Sequence, residues 1–274
     1  MDQPTARGDA YVLGNSEGEH QRLMRQALTL APITQRLFIE AGVRPGMGAL
    51  EIGCGVGDVT LLTAALVTST GTVTALDRDA SSLARARTRT AHLPNVRFVE
   101  TDLGDPKVEG AFDVIVGRFV LMFLPDPGAT LRALIDHLRP GGVLVCQEAS
   151  WSSFFSEARH LPLHTRCGEL ACETLRRGGA EPNMSLILYR GLQDAGCEQL
   201  TLRVETLLAR TPEDRAWLPD LLETMRPRWP QLGISDQSLG DPDTLRQRLH
   251  AEVLGEGSFT PVVGMVGAWG RKSD

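Results

Sequence analysis

The chain has few lysines and no basic tail. Only Lys107 and Lys272 are lysine among its 28 basic residues, and the 34 acidic residues give a formal net charge of −6 at pH 7. The arginines are interspersed with acids along the chain. Proteins that bind nucleic acid need a concentrated basic surface, so we expect no nucleic-acid partner.

Long apolar runs are also missing. No stretch approaches the roughly 20 apolar residues that a membrane-spanning helix needs, and residues 1–7 lack the apolar centre of a signal peptide. We therefore expect a cytoplasmic protein with no membrane partner.

Cysteine is scarce and unpatterned. The chain has five cysteines, an odd number, and none forms a Cys-x-x-Cys pair. This argues against a disulfide framework, and no zinc-site spacing is present, so we expect no metal. Aromatic residues make up 5% of the chain, with two tyrosines, whereas 42% of residues are hydrophobic. A chain of 274 residues with this composition can bury one substantial core and an added cap.

The most informative segment is residues 49–60. A short apolar strand runs into Gly53, Gly55 and Gly57, and a helix is predicted to begin at Asp58. Glycines at alternate positions let the backbone turn sharply and let a ligand approach bare main chain. The segment therefore predicts a binding loop between a strand and a helix.

Two acids accompany this loop. Glu51 lies two residues before the first glycine, and Asp77 closes the next predicted strand about twenty residues after Gly57. In nucleotide-binding βαβ units, an acid at this distance binds ribose hydroxyls. The usual dinucleotide spacing is Gly-x-Gly-x-x-Gly, and Asp58 would repel phosphate at the helix N-terminus. We therefore expect a ligand that carries adenosine and a positive centre rather than a dinucleotide.

These residues resemble the class I S-adenosylmethionine-dependent methyltransferases of small molecules. The resemblance covers residues 45–150 and rests on five motifs in the family's order. They are residues 51–57, Asp77, residues 101–103, residues 112–118 and the Pro-Gly-Gly turn within residues 138–145.

The resemblance implies an α/β fold: a Rossmann-like, seven-stranded, mostly parallel sheet with helices on both faces, plus helical cap segments. It implies S-adenosyl-L-methionine as cofactor and S-adenosyl-L-homocysteine as product, with Asp77 on the ribose and Asp102 at the adenine edge. The cofactor-binding residues that it suggests are Glu51, Gly53, Cys54, Gly55, Asp77, Arg78, Asp102, Leu103, Arg118 and Tyr11.

Periodicity predicts the same alternation of strands and helices. The predicted strands are 48–53, 72–77, 96–100, 112–117, 142–148, 199–208 and 259–269, and the resemblance implies that the last two are antiparallel. The predicted helices are two within 16–41 separated at Pro32, then 58–67, 80–91, one from Asp126, 160–177 and 185–195. Since ligands of such sheets bind beyond the carboxyl ends of the strands, the acids and Arg118 at those ends are expected to converge.

We divide the chain into an N-terminal helical lid, residues 1–45, and a methyltransferase domain, residues 46–274. Helical cap insertions are expected at about 151–181 and 212–256. Arg118 could hold the carboxylate of the cofactor's methionine part or form a salt bridge with Asp58 or Glu51. Tyr11 could cover the methyl centre or anchor the N-terminus.

The expected reaction is an in-line transfer of the sulfonium methyl to an O, N or C nucleophile of a small molecule. The catalytic residues are unknown, with Glu148, His20, His164 and Tyr11 as weak candidates. Two alternatives stay open: a non-catalytic cofactor-binding subunit, and a cyclase that uses S-adenosylmethionine without methyl transfer. A homodimer is one option for the assembly.

Overall fold

Strands and helices alternate along the first half of the computed structural model, which describes residues 13–14, 17–104, 108–209 and 211–273. The helices are α1 (Glu17–Ala41), α2 (Asp58–Val67), α3 (Ala80–Arg89), α4 (Pro127–Ile135), α5 (Trp151–Ala158), α6 (Pro162–Arg177), α7 (Ser185–Asp194), α8 (Pro212–Arg215), α9 (Trp217–Met225), α10 (Trp229–Leu232) and α11 (Pro242–Gly255). The strands are β1 (Gly48–Ile52), β2 (Thr72–Asp77), β3 (Val96–Glu100), β4 (Phe112–Arg118), β5 (Leu138–Ser150), β6 (Cys197–Glu205), β7 (Leu208–Ala209), β8 (Thr260–Pro261) and β9 (Gly264–Lys272).

Seven of the described strands form one sheet in the order β3-β2-β1-β4-β5-β9-β6. Strands β1 to β5 are parallel to one another. Strand β9 lies between β5 and β6 and is antiparallel to both. The predicted fold class, a Rossmann-like and mostly parallel seven-stranded sheet, is confirmed. The strand order reverses between β1 and β4, which is the position where such sheets bind ligands.

The central strands are apolar on both faces because helices cover both sides of the sheet. Leu50, Ile115 and Leu144 are in register and belong to one core with α4 and α7 residues. Their strand neighbours Ala49, Val114 and Val143 belong to a second core with residues of α1 and α2. Near-continuous apolar strands are typical of a buried parallel sheet.

The predicted break at Pro32 is wrong: α1 is one helix from Glu17 to Ala41 with Pro32 inside it. Pro32 cannot donate to the carbonyl of Leu28, four residues earlier. Both side chains are exposed, so this carbonyl lies on the water-facing side of the helix. Leu30, Ile33 and Phe38 are buried on the opposite face and hold the helix together across the proline.

Other predicted boundaries need correction after β4. Strand β5 runs from Leu138 to Ser150 rather than over 142–148. Its extension at the C-terminal end pairs with β9. The expected helix 160–177 begins at Pro162 and follows a separate helix, α5. The antiparallel pairing of the last two sheet strands is confirmed, with β9 displaced toward the C-terminus.

Residues 206–263 connect β6 to β9 and contain α8 to α11. Helix α9 packs on α1 and α6, and α11 packs on α6. Asp220 of α9 accepts hydrogen bonds from Arg25 of α1 and Arg246 of α11, at 2.9 and 2.7 Å. This connection therefore ties α1 to the later helices. None of the helices in the described parts of the chain has the length and hydropathy that a membrane crossing needs.

Candidate functional site

A cavity of about 200 Å³ opens beyond the carboxyl ends of β1, β2 and β4. Most of the sequence-predicted cofactor residues line it together: Gly53, Cys54, Gly55, Asp77, Arg78, Asp102, Leu103 and Arg118. Glu51 lies behind this lining, fully buried in β1. Tyr11 lies outside the described residues.

The glycine loop presents bare backbone to this cavity. Gly53 and Gly55 have positive φ angles of 60° and 51°. A Cβ on Gly53 would come within 2.5 Å of the side chain of Val120, whereas a Cβ on Gly55 would point into open space. The first glycine is therefore required by close packing, and Gly55 by its backbone conformation at the cavity wall.

Asp77 connects the loop to the second strand. Its carboxylate accepts hydrogen bonds from the backbone N–H groups of Gly55, at 2.7 Å, and Asp79, at 2.9 Å. Burial raises the pKa of Asp77, and these two backbone donors counteract the rise. Each carboxylate oxygen has a further lone pair, so hydroxyl donors in the cavity can still be bound. The neighbouring Asp79 caps α3 by accepting from the backbone N–H of Ser82.

The third strand ends at the rim of the cavity. Asp102 is exposed and accepts a hydrogen bond from the backbone N–H of Gly104 at 2.7 Å. Leu103 beside it is buried. The rim thus combines an acidic group in a tight turn with an apolar wall.

A buried carboxyl group, that of Glu51, lies at the end of β1. Burial raises the pKa of Glu51 to about 8, although Thr60 and the positive charge of Arg118 act in the opposite direction. Among the residues that the structure describes, neither carboxylate oxygen of Glu51 has a hydrogen-bond partner with good geometry, and neither has the Thr60 hydroxyl. Buried polar groups are normally satisfied. The end of β1 therefore has unused hydrogen-bonding capacity.

Arg118 is held by α1 rather than by an acid. Its Nη1 donates to the Thr34 hydroxyl at 3.1 Å, and Thr34 donates to Oε1 of Gln147 at 2.6 Å. Asp58 instead pairs with Arg89 at 2.6 Å. Among the described residues no carboxylate lies within salt-bridge distance of Arg118. Arg118 lines the cavity, so its guanidinium offers donors to which an anion could bind.

Glu148 does not line the cavity but lies behind its wall, fully buried in β5. Its carboxylate accepts from the backbone N–H groups of Val120 and Leu121 at 2.9 Å each, and of Met122 at 3.4 Å. Burial raises the pKa of Glu148 to about 7, against these three donors. The contacts favour a positioning role over that of a base.

Neither histidine candidate lines the cavity. His20 is buried, and its Nε2 lies 3.5 Å from the hydroxyl of Ser82. Ser82 lines the cavity, whereas His20 lies behind it. His164 is bound to Glu252 of α11 at 2.7 Å, and burial lowers its pKa. No group of His, Cys, Asp and Glu in the described ranges is arranged to hold a metal ion.

Sequence reasoning missed part of the lining. Phe119, Val120, Phe123 and Leu124 follow β4, and Leu23 and Gln26 come from α1. The position directly after Arg118 was a usable signal, because strand ends face the site. Nothing local marks Gln26, which reaches the cavity only through the packing of α1.

A second cavity, of about 60 Å³, lies between α1 and the α8–α9 region. Its apolar wall contains Leu30, Trp217, Leu221 and Val262. Gln26 lines both this cavity and the larger one, so its side chain lies between the two spaces.

Comparisons with known proteins agree with this geometry. A family model described as a methyltransferase domain matches residues 50–144. Demethylmenaquinone methyltransferase of Staphylococcus aureus strain MRSA252 is 37% identical over 117 residues, which is 42% of this chain and 48% of that protein. The chain thus spans about half the length of that relative.

Two solved structures show how widely the fold is used. A phosphoethanolamine N-methyltransferase of Haemonchus contortus, in complex with S-adenosylhomocysteine, matches 91% of this chain and 52% of its own with a TM-score of 0.54 and 16% identity. The [4+2]-cyclase SpnF matches 88% of this chain and 81% of its own, also with a TM-score of 0.54 and 16% identity. At this identity the likeness concerns the fold alone.

Proposed function

We propose that the chain transfers the methyl group of S-adenosylmethionine to a small-molecule acceptor, in keeping with the methyltransferase-domain model that matches residues 50–144. The observation that carries the proposal is the convergence of Gly55, Asp77 and Arg118 from three strand ends on one cavity. Each offers a group that suits a different part of this cofactor. Gly55 offers bare backbone, Asp77 can accept hydrogen bonds from hydroxyls, and Arg118 can donate hydrogen bonds to a carboxylate.

The unused hydrogen-bonding capacity of this region supports the same ligand. No described residue is a hydrogen-bond partner of the Glu51 carboxylate, and a Cβ on Gly55 would meet open space. A ligand with a carboxylate and ribose hydroxyls would complement Arg118 and Asp77, which line the cavity. The residues present therefore fit S-adenosylmethionine.

Bound S-adenosylmethionine would supply an activated methyl group, so the protein needs mainly to position the reactants and exclude water. Phe119, Val120 and Leu124 provide apolar walls that keep water out. Asp77 and Arg118 hold the two ends of the ligand. None of the weak base candidates in the described residues reaches the lining, which favours catalysis by positioning.

We further propose that α1 belongs to a lid. Its Leu23 and Gln26 line the cavity, and its Thr34 holds Arg118, so ligand binding and the position of α1 are coupled. The acceptor would enter through the smaller cavity between α1 and α9. Since the Staphylococcus aureus relative is named for demethylmenaquinone, that quinone is one acceptor to include in a screen.

The experiment is calorimetry followed by a turnover assay. We expect S-adenosylmethionine and S-adenosylhomocysteine to bind the wild-type chain, and NADH not to bind. Acceptor candidates are then screened for release of S-adenosylhomocysteine. Tight NADH binding, or no binding of either sulfur compound, would overturn the proposal.

A cyclase is the second candidate, because the SpnF structure shares this fold. The two functions differ in one product: methyl transfer releases S-adenosylhomocysteine, whereas cyclisation leaves the cofactor intact. A third possibility is a subunit that binds the cofactor without turnover. Mass spectrometry of the cofactor after incubation with acceptors separates the first from the other two.

A further inference from the structure

One polar side chain lies between the larger and the smaller cavity. Gln26 is half-buried on α1 and lines both spaces. A methyl acceptor must reach from its own pocket toward the cofactor, so it passes Gln26 under the function proposed above. The chemistry that this amide presents therefore bears on which acceptors fit.

The orientation of the Gln26 amide is set by its neighbours. Oε1 accepts a hydrogen bond from Nη1 of Arg22 at 3.0 Å. Arg22 is in turn held by Glu19 through two contacts of 2.6 Å, and both side chains are almost fully buried. Because Oε1 receives this bond, the opposite side of the amide presents Nε2, which is a donor only.

Nε2 of Gln26 has no hydrogen-bond acceptor among the described residues, whereas two of the three acids that line the smaller cavity are already engaged. Asp214 accepts from the hydroxyls of Thr29 and Thr211. Asp220 accepts from Arg25 and from Arg246. The third acid, Glu213, is exposed. The polar group that Gln26 itself presents is therefore an N–H donor.

We propose that Gln26 is a specificity-determining residue that donates a hydrogen bond to a carbonyl or similar lone-pair oxygen of the methyl acceptor. The rest of that acceptor lies on the apolar wall formed by Leu30, Trp217, Leu221 and Val262. The oxygen bound by Gln26 is a neighbour of the methylated atom rather than that atom, because a donated hydrogen bond withdraws electron density from a nucleophile. The substrate class is a small, partly apolar carbonyl compound. This inference rests on the proposed function.

The test uses two probes of matched shape, 4-fluoroacetophenone and 1-ethyl-4-fluorobenzene, which differ by one carbonyl oxygen. Fluorine NMR measures their affinities for the full chain with and without S-adenosylhomocysteine. We expect Gln26→Leu to weaken ketone binding relative to hydrocarbon binding by about two- to tenfold, the range for one hydrogen bond. The matched control Gln21→Leu changes an exposed glutamine of the same helix and should leave the ratio unchanged.

Gln26→Glu provides a second variant, since it replaces the donor by a carboxylate and should weaken ketone binding further. An unchanged ratio in Gln26→Leu, no binding of either probe, or a preference of the wild type for 4-fluorobenzylamine would each overturn the inference. Calorimetry with S-adenosylhomocysteine on the same variants tests the proposed function separately. Absence of cofactor binding to the wild type would count against that function, while the probe ratio is still measured without cofactor.

Discussion

The carboxylate of Glu148 holds the backbone of Val120 at 2.9 Å, and the side chain of Val120 fills the space beside Gly53. A buried group in β5 is thereby linked to the glycine loop after β1. Phe119, which precedes Val120, has a φ of 55°, a conformation that non-glycine residues adopt rarely. The three N–H groups bound by Glu148 stabilise the backbone that follows this residue.

Glu148→Ala should lower the free energy of unfolding by about 3 kcal/mol, because it leaves three buried backbone donors without an acceptor. The affinity for S-adenosylhomocysteine should fall with it as the wall loosens. Urea unfolding and calorimetry measure the two effects. Glu256→Ala, at an exposed position, is the control. Unchanged stability and unchanged affinity in Glu148→Ala would contradict the positioning role.

Asp77→Ala should weaken binding of S-adenosylhomocysteine by roughly 10- to 100-fold, the loss expected for hydrogen bonds to a charged group. The variant also removes the acceptor for Gly55, so the loop loses an anchor. Calorimetry gives the affinity. Glu100→Ala changes the exposed residue that pairs with Asp77 in the sheet and should bind as the wild type does. Equal affinities in the two variants would remove Asp77 from the site.

Arg118→Lys should lower the affinity for S-adenosylhomocysteine about tenfold, because an ammonium cannot bind a carboxylate in the bidentate way that a guanidinium can. Binding of 5′-methylthioadenosine, which lacks the amino-acid part, should change by less than about twofold. Competition binding measures both ligands on one variant. A parallel loss for both would assign Arg118 to the structure of the pocket instead.

Glu51 should make stability fall as pH rises. Burial raises its pKa in the folded chain from 4.5 to about 8, so the native state keeps a proton that the unfolded chain releases. The favourable contribution is complete below about pH 4.5 and is lost as pH rises to about 8. Glu148, with a pKa of about 7, acts in the same direction.

The unfolding free energy of Glu51→Gln should therefore decline less with rising pH than that of the wild type. At pH 8.5 it should exceed the wild-type value by on the order of 2 kcal/mol. Urea unfolding at pH 5.5, 7 and 8.5 follows the difference. The exposed Glu100→Gln should keep the wild-type slope. An identical pH dependence in Glu51→Gln and the wild type would show that this carboxyl does not titrate as described.

If α1 belongs to a lid, hydrogen exchange across residues 17–30 should slow when S-adenosylhomocysteine is added, since lids come from segments of low local stability. Helix α7 packs on α4 and β6, away from the cavity, and serves as the internal reference. Exchange is followed by mass spectrometry of peptides from one digest. Equal rates in residues 17–30 with and without ligand would argue against a lid.

Sequence patterns alone located several elements with little error. Strands β2 and β3 have the predicted bounds, and Asp126 caps α4 as expected by accepting from the backbone N–H of Ala129. The glycine loop was equally recognisable. These features depend on interactions within a few residues, such as strand alternation, capping and permitted φ angles, which the local sequence specifies.

The tertiary structure decided the rest. Pro32 does not end α1 because burial of the opposite face outweighs one missing hydrogen bond. Glu148 binds backbone 26 to 28 residues away, Arg118 of β4 contacts Thr34 of α1, and Gln26 lies between two cavities. Such contacts join elements distant in the chain, so their geometry follows from packing and not from any local pattern. The sequence determined which groups stand at the strand ends, and the packing of α1 and the later helices determined what those groups face.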